Sequence, residues 1–453
     1  MRELHHDFWR NLRNELAVGW QWRDRAVVLT YAVITGLVVV GFTLLAEAAS
    51  RGFDHLLGLG AAGPWLPLIW TPALAAALLW WTRRFAPGSQ GSGIPQVMAA
   101  LDDHLPPYEQ SKLVSLRLSL HKIALVCGGL LAGLSIGREG PTVQVGAGVM
   151  QHARRWLSPQ AGIDTHDLMV AGAAAGIAAA FNTPLGGVIF ALEQLSRRRS
   201  FSHSGLVIIS IVLAGLVAVS AFGNVSYFGE LRAQRLDWTL LAPGLLVALV
   251  TGLAGGLFSR LIVASAKGLP DRFSRWRAQH PMRFAAACGL AVAVIGIVSG
   301  GATAGAGYAP TRALLDGHRE LPALYTLLKF CATWLSAWTG LPGGVFAPSL
   351  AIGAGIGNDV ASLVGVDPEA AITLVALGMV GFLAATTQGP LTAFIIVMEM
   401  VAGHAMVLSL MITALLASGV ARWVTPPMYN ELASLLSSPS PSPQPPAAAP
   451  SSR

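Results

Sequence analysis

The sequence Gly137-Arg138-Glu139-Gly140-Pro141 places two charges in the middle of apolar sequence. Residues 123–136 before it and 141–150 after it contain no charged side chain. A carboxylate at membrane depth is costly to keep, so Glu139 is predicted to have a function. The glycines allow unusual backbone angles, and Pro141 suits the first turn of a helix. The segment therefore predicts an interrupted helix whose new N-terminus offers free N–H groups to an anion.

The composition around this segment is that of a polytopic membrane protein. Of the 453 residues, 53% are hydrophobic and 12% are charged, and this charged fraction is about half that of a typical soluble protein. Several apolar stretches reach the roughly 20 residues that cross a bilayer, and others are short or interrupted by Gly and Pro. An all-α membrane fold is expected, with apolar stretches at 26–46, 65–82, 113–136, 168–195, 204–222, 238–263, 284–300, 323–338, 346–364, 371–401 and 405–421.

Charge and composition also predict the domain boundaries. Five arginines lie in residues 1–25, which predicts a cytoplasmic N-terminal segment followed by a retained first helix. The transmembrane domain is expected at 26–430, with related halves at about 26–200 and 235–430. Residues 431–453 are predicted to be a disordered tail, because Ser, Pro and Ala dominate their end.

Several function classes have little support in this composition. The basic residues behind the net charge of +7 are scattered among loops without interleaved aromatics, so no nucleic-acid partner is expected. The three cysteines lack metal-ligand spacing. Neither a metal nor a cofactor is expected, and the protein is not expected to be an enzyme.

The two halves of the chain share markers in the same order. Lys122, Pro141 and residues 146–148 recur 207 positions later (329 − 122) as Lys329, Pro348 and residues 353–355. Pro184, Ile189 and Glu193 recur 206 positions later as Pro390, Ile395 and Glu399. Transporters are often built from two such halves, with the substrate site where interrupted segments of both halves meet. Gly137–Pro141 and Gly343–Pro348 are predicted to be those segments.

Four motifs now carry a resemblance to a known family. They are Gly91-Ser92-Gly93-Ile94-Pro95, the Glu139 motif with its following Thr-Val-Gln, Gly344-Val345-Phe346-Ala347-Pro348, and Tyr429. In this order they resemble the CLC family of chloride channels and chloride/proton exchangers, over roughly residues 25–430. The resemblance implies an inverted-repeat bundle of many tilted and broken helices, in a bilayer, usually as a homodimer with one pathway per subunit.

The resemblance also implies roles for individual residues. The hydroxyls of Ser92 and Tyr429 would donate to a central chloride ion, and the backbone N–H groups around Val345 and Phe346 would complete that site. Glu139 would be the gate, because its charged carboxylate competes with chloride and its protonated form swings away.

Two further parts of the pathway are implied in the same way. The backbone at Arg138 and Gly140 would contribute to an external anion site. Family exchangers commonly carry an inward-side glutamate for protons, and the matching position here is Gln194, which cannot titrate. Its neighbour Glu193 has a counterpart in the repeat, which suggests a structural role.

Gln194 therefore favours channel-like or weakly proton-coupled chloride transport. The alternative is an obligate chloride/proton antiporter. A more distant alternative is an intramembrane serine hydrolase that uses Ser92 with His104 or His121 as its base. The family pattern further implies a multi-pass protein of a bacterial inner membrane.

Overall fold

The computed structural model of the protein describes residues 19–102, 105–196, 204–223, 228 and 238–437. Within them the chain forms helices and no β-strand. In chain order, α1 to α19 are Gly19–Leu57, Pro67–Phe85, Ile94–Ala100, Pro107–Leu113, Leu116–Leu131, Glu139–Gln151, Thr165–Phe181, Pro184–Phe190, Ser204–Phe222, Leu241–Lys267, Arg272–Gln279, Pro281–Val298, Tyr308–Leu315, Tyr325–Trp338, Phe346–Val364, Pro368–Thr387, Pro390–Met400, Val407–Val424 and Met428–Ser437.

Short turns connect several of these helices. They are 3-10 turns except for the last, which is a π turn: Gly60–Trp65, Pro87–Ser89, His152–Trp156, Trp238–Leu240, His404–Met406 and Ala191–Leu195. Seven helical segments of the described chain are long and apolar enough to cross a membrane. The fold is therefore the expected all-α polytopic bundle.

Two of the long apolar stretches are each divided into two helices. The stretch 168–195 breaks at Asn182 and the stretch 371–401 breaks at Gln388, both with left-handed backbone (φ 56° and 50°). A proline follows two residues later in each case, and proline cannot continue a helix because it lacks the N–H donor. The breaks are counterparts in the repeat, 206 positions apart.

The predicted repeat is visible in the packing. Helix α6 packs on α7 as α15 packs on α16, and α7 packs on α9 as α16 packs on α18. Helix α1 also packs on α9 as α10 packs on α18. The halves therefore build the same helix arrangement twice, as the repeat in the sequence predicts.

Small residues allow the closest helix approaches. A Cβ at Gly146 of α6 would overlap the carbonyl of Gly172 in α7, and a Cβ at Gly353 of α15 would overlap the carbonyl of Gly378 in α16. Backbones in contact gain van der Waals packing that larger side chains would prevent in a membrane helix pair. These four helices are buried along nearly their whole length and form the centre of the protein.

The predicted chain ends need one correction. Residues 431–437 belong to α19, so a disordered tail from residue 431 is wrong for that part. The helix is held because Tyr429 and Ala433 are buried against its neighbours. Residues 1–18, the arginines at 197–199 and the tail beyond 437 lie outside the described residues.

Candidate functional site

The two interrupted segments meet at the centre of the protein. Gly137 N–H donates to Gly344 O and Gly344 N–H donates to Gly137 O, both at 2.8 Å. Space for a side chain is absent, because a Cβ at Gly344 would lie 3.0 Å from both Gly140 N and Pro141 Cδ. The starts of α6 and α15 are therefore held side by side, each with its first N–H groups free of helical partners.

The loop before α3 joins the same crossing. Gly91 N–H donates to Leu341 O (3.2 Å), and Gly343 N–H donates to Gly91 O (3.1 Å). This loop needs glycine because Gly91 and Gly93 have φ of 68° and 104°, which other residues rarely adopt. A Cβ at Gly140 would collide with Ser92 Oγ, so the serine hydroxyl rests against the Glu139 motif.

A cavity of about 340 Å³ lies on one side of the crossing, and we call it the tyrosine cavity. Ser92, Val345 and Tyr429 line it together. The hydroxyls of Ser92 and Tyr429 are buried near each other, and neither has any other hydrogen-bond partner among the described residues. Phe346 stacks on the Tyr429 ring, with centroids 6.1 Å apart and planes at 15°. Even if these two hydroxyls bond to each other, one O–H donor is left over, and an unpaired buried donor normally indicates a missing ligand that accepts hydrogen bonds.

Glu139 stands at the first position of α6 and is fully buried. Its Oε1 accepts a hydrogen bond from the hydroxyl of Tyr308, the first residue of α13. Its Oε2 has no hydrogen-bond partner among the described residues. The carboxylate is thus held by one hydroxyl and is free at its other oxygen.

Arg138, next to Glu139, pairs with a carboxylate of α1. Its guanidinium donates to Glu47 Oε1 at 3.2 Å and lies 5.5 Å from the Tyr308 ring centroid. A cavity of about 480 Å³, the arginine cavity, is lined by Glu47, Arg138, Tyr308 and Arg312 among others. Its lining holds two cationic side chains and one carboxylate, and this net positive charge favours an anion over a cation.

The two cavities open toward opposite ends of α7. Ala179 and Asn182, at the C-terminal end of α7, line the arginine cavity. His166, at the N-terminal end of α7, lines a cleft that shares α3 and α19 with the tyrosine cavity. The Glu139 carboxylate is bonded to a residue of the arginine cavity, and its neighbour Gly140 touches Ser92 of the tyrosine cavity. The carboxylate therefore lies between the two cavities.

Glu193 of the first half caps a helix of the second half, and Glu399 of the second half caps a helix of the first half. Glu193 accepts from the N–H groups of Leu391 (3.1 Å) and Thr392 (2.7 Å) at the start of α17. Glu399 accepts from Leu185 (3.3 Å) and Gly186 (2.7 Å) at the start of α8. The structural role that the repeat predicted for Glu193 is the one observed.

Gln194 lies apart from the two cavities. It is 3% exposed on the π turn that follows α8, and its side chain packs against Gly389. It lines a cleft of about 150 Å³ between α3, α7 and α19. Among the predicted site residues, Gln194 is thus the one that the structure does not bring to the crossing.

Two buried lysines fix the loops at the site. Lys122 Nζ donates to Ser89 O (2.8 Å) and Gly91 O (2.7 Å), just before Ser92. Lys329 Nζ donates to Thr303 O (2.9 Å) and Gly305 O (2.8 Å), just before Tyr308. Each lysine thereby donates hydrogen bonds to backbone carbonyls and not into the cavities.

Tyr308 is the site residue that sequence reasoning missed. A signal was present, because Gly305 and Gly307 precede it as Gly91 and Gly93 precede Ile94, with positive φ at all four glycines. The loop that contains Gly305 and Gly307 lies closer in sequence to Lys329 than the loop that contains Gly91 and Gly93 lies to Lys122. Its position therefore does not follow the constant spacing of the other repeat markers.

Comparison with known proteins identifies the family. The sequence profile described as voltage gated chloride channel matches residues 73–422. The chain belongs to the CLC family. It is 30% identical over 442 residues to the protein named H(+)/Cl(-) exchange transporter ClcA of Yersinia pestis bv. Antiqua (strain Angola), covering 90% of this chain and 88% of that one. The ClcA of Citrobacter koseri (strain ATCC BAA-895 / CDC 4225-83 / SGSC4696) is 29% identical over 431 residues.

Solved structures agree with the fold. The crystal structure of a slow cyanobacterial Cl-/H+ antiporter matches with a TM-score of 0.77, at 24% identity, over 91% of this chain and 97% of that one. The structure of a CLC-type fluoride/proton antiporter matches with a TM-score of 0.73 at 23% identity, over 90% of this chain and 97% of that one. This CLC protein is an integral multi-pass membrane protein of a transporter family.

Proposed function

We propose that this CLC protein exchanges chloride for protons across a membrane, with Glu139 as the gate. The observation that carries the proposal is the tyrosine cavity, where the buried hydroxyls of Ser92 and Tyr429 and the N-terminus of α15 surround one space next to the Glu139 motif. Neutral O–H and N–H donors can replace the water around a weakly hydrated anion and still release it.

The buried carboxylate supplies the coupling. Charged Glu139 competes with chloride for the same donors at the helix starts, because both are anions. A proton removes that competition, and the neutral side chain can leave the anion path. Chloride entry and protonation of Glu139 are therefore linked, so that the movement of one ion depends on the other. The backbone at Arg138 and Gly140 would hold an anion when the carboxylate has left.

The names of the relatives favour exchange over a channel-like pathway. Both ClcA proteins are named exchange transporters. The channel-like interpretation depended on Gln194 alone, since glutamine cannot carry a proton. We therefore propose obligate exchange, and the proton must use another group on the side of Gln194.

The test is a flux measurement on purified protein in liposomes. Vesicles loaded with chloride are diluted into low-chloride buffer, while one electrode records chloride outside and another records pH. Chloride leaving down its gradient should drive protons uphill into the vesicles. Chloride efflux without proton movement would leave a passive pathway, and no halide movement at any pH would remove the transport proposal altogether.

Matched variants test the anion site itself. Ser92→Ala and Tyr429→Phe each remove one hydroxyl from the tyrosine cavity, and each should weaken chloride binding by about 1 kcal/mol, or roughly fivefold in Kd. Isothermal titration with chloride measures this loss. A serine hydrolase would instead lose all activity in Ser92→Ala, but no histidine or lysine hydrogen bonds Ser92 Oγ in the described structure.

Localisation and assembly complete the proposal. We propose a homodimer in a bacterial inner membrane, with the N-terminus in the cytoplasm. The support is the family relationship and the basic residues that precede α1. Mass photometry of the detergent-purified protein would give the subunit number.

A further inference from the structure

The cleft that contains Gln194 also contains a histidine, and this cleft bears on how protons reach the protein interior. The cleft, which we call the histidine cleft, is lined by Asp102, His166, Gln194, Asn430 and Ser434 among others. If the exchange proposed above is correct, some titratable side chain must exchange protons with water on this side of the membrane. Gln194 is in the right place but has no titratable group.

We propose that His166 is the group that takes up and releases the transported proton on the side of the histidine cleft. Its side chain is 9% exposed, and its Nδ1 makes no hydrogen bond among the described residues. Imidazole is the side chain that ordinarily gains and loses a proton near neutral pH, and it can receive a proton on one nitrogen and release it from the other.

Acidic and basic side chains lie near His166. Asp167 Oδ1 lies 3.8 Å from His166 Nδ1. Asp164 caps the same helical turn, and Asp102 also lines the cleft. The Arg154 guanidinium, from the turn after α6, donates to Ile163 O at 3.2 Å and offsets part of this acidity.

The histidine cleft and the tyrosine cavity are separate openings on one side of the protein. Helix α19 divides them, because Tyr429, Leu432 and Leu436 line the tyrosine cavity, while the residues that follow them, Asn430, Ala433 and Ser437, line the cleft. Helix α3 also contributes to both walls. Protons entering at His166 would therefore not have to cross the chloride site.

Helix α7 connects the cleft to the level of Glu139. Gly172 contacts Gly146 and Gly176 contacts Thr142, so α6 and α7 run antiparallel and Glu139 is level with Ala179. The rise of 1.5 Å per residue then places His166 roughly 20 Å from that level. The imidazole takes a proton from water in the cleft, the proton moves inward over this distance to the Glu139 carboxylate, and the imidazole returns to its neutral form.

The experiment measures the ratio of protons to chlorides transported by the full-length protein in the liposome assay. In His166→Gln the ratio should fall at least about tenfold while chloride flux stays measurable, which also reports that the variant is folded. His318→Gln is the matched control, because His318 is exposed and lies between α13 and α14, outside the cleft. Its ratio should equal that of the wild type.

A second variant separates titration from structural support. Adding Gln194→Glu to His166→Gln places a titratable carboxyl in the same cleft without restoring the imidazole, and coupling should return. An unchanged ratio in His166→Gln would overturn the proposal while leaving exchange intact. Loss of coupling in Asp102→Asn but not in His166→Gln would overturn it in favour of Asp102. A wild type that moves chloride without protons would overturn both this proposal and the exchange function.

Discussion

Gly137 and Gly344 donate their N–H groups to each other's carbonyl oxygens at 2.8 Å, and they are also counterparts in the repeat, 207 positions apart. A residue that pairs with its own counterpart lies at the axis that relates the two halves. The exchanged caps of Glu193 and Glu399 obey the same twofold relation. The candidate anion site is therefore at the symmetry axis, where both halves contribute a helix start.

Gly344→Ala should disturb the site and the fold together. Its Cβ would lie 3.0 Å from Gly140 N and Pro141 Cδ, which are backbone and ring atoms that cannot rotate away. Such overpacking costs about 1–3 kcal/mol of stability. We expect a lower melting temperature of the detergent-purified protein and weaker chloride binding. Gly41→Ala is the control, because nothing lies within 4 Å of a Cβ at that position. This variant should bind chloride like the wild type, and its melting temperature should be unchanged or slightly higher.

Glu139→Gln should uncouple the protein from protons. Glutamine keeps the shape of the protonated carboxyl but cannot release or bind a proton, so the gate stays in its neutral form. Chloride flux from liposomes should then be nearly the same at all pH values, and uphill proton movement should be absent. Steep pH dependence in this variant would show that another group is the gate.

Tyr308→Phe should hold the Glu139 carboxylate less firmly while leaving the carboxylate itself unchanged. The Tyr308 hydroxyl donates to Glu139 Oε1, and a hydrogen bond to a charged group contributes about 1.5 kcal/mol or more. Without it the charged carboxylate leaves its position more often, so chloride turnover near neutral pH should rise by up to about tenfold.

A matched tyrosine tests whether this effect belongs to the hydrogen bond. Tyr325 is also buried at the start of a helix, but its hydroxyl makes no hydrogen bond among the described residues. Tyr325→Phe should therefore leave chloride turnover unchanged. Equal turnover in Tyr308→Phe and the wild type would mean that Tyr308 packs against the gate without holding it.

Glu193→Gln and Glu399→Gln should destabilise the protein by similar amounts. Each carboxylate accepts two N–H groups at a helix start, and losing its charge weakens both hydrogen bonds and the interaction with the helix dipole, about 1–3 kcal/mol in total. Thermal melts of the purified variants measure this. Glu320→Gln, at an exposed carboxylate, should melt like the wild type. A large loss in one variant alone would contradict the twofold relation.

Sequence reasoning located the site because it lies on repeated, unusual residues. Glycines and prolines at matching positions predicted that Gly137 and Gly344 would meet, and the twin at Glu399 predicted the structural role of Glu193. Contacts made by ordinary residues were not predictable in this way. Glu47 is 91 positions before Arg138, and Tyr308 is 169 positions after Glu139, so only the folded chain brings these pairs together.

The two buried lysines allow one prediction with an internal control. Lys122 and Lys329 make the same pair of hydrogen bonds to backbone carbonyls, at 2.7–2.9 Å, in the two halves. Replacing either by Met keeps the volume but leaves two buried carbonyls without a donor, at a cost of about 1–3 kcal/mol each. The stability losses in Lys122→Met and Lys329→Met should therefore be similar in thermal melts.

Their functional effects should differ, because the loops that they hold carry different residues. Lys122→Met releases the loop before Ser92, so chloride affinity by titration should fall while the pH dependence of flux is kept. Lys329→Met releases the loop before Tyr308, so it should raise chloride turnover near neutral pH, as Tyr308→Phe does. Identical functional changes in the two variants would mean that the lysines support the fold as a whole, and that neither loop positions its own site residue.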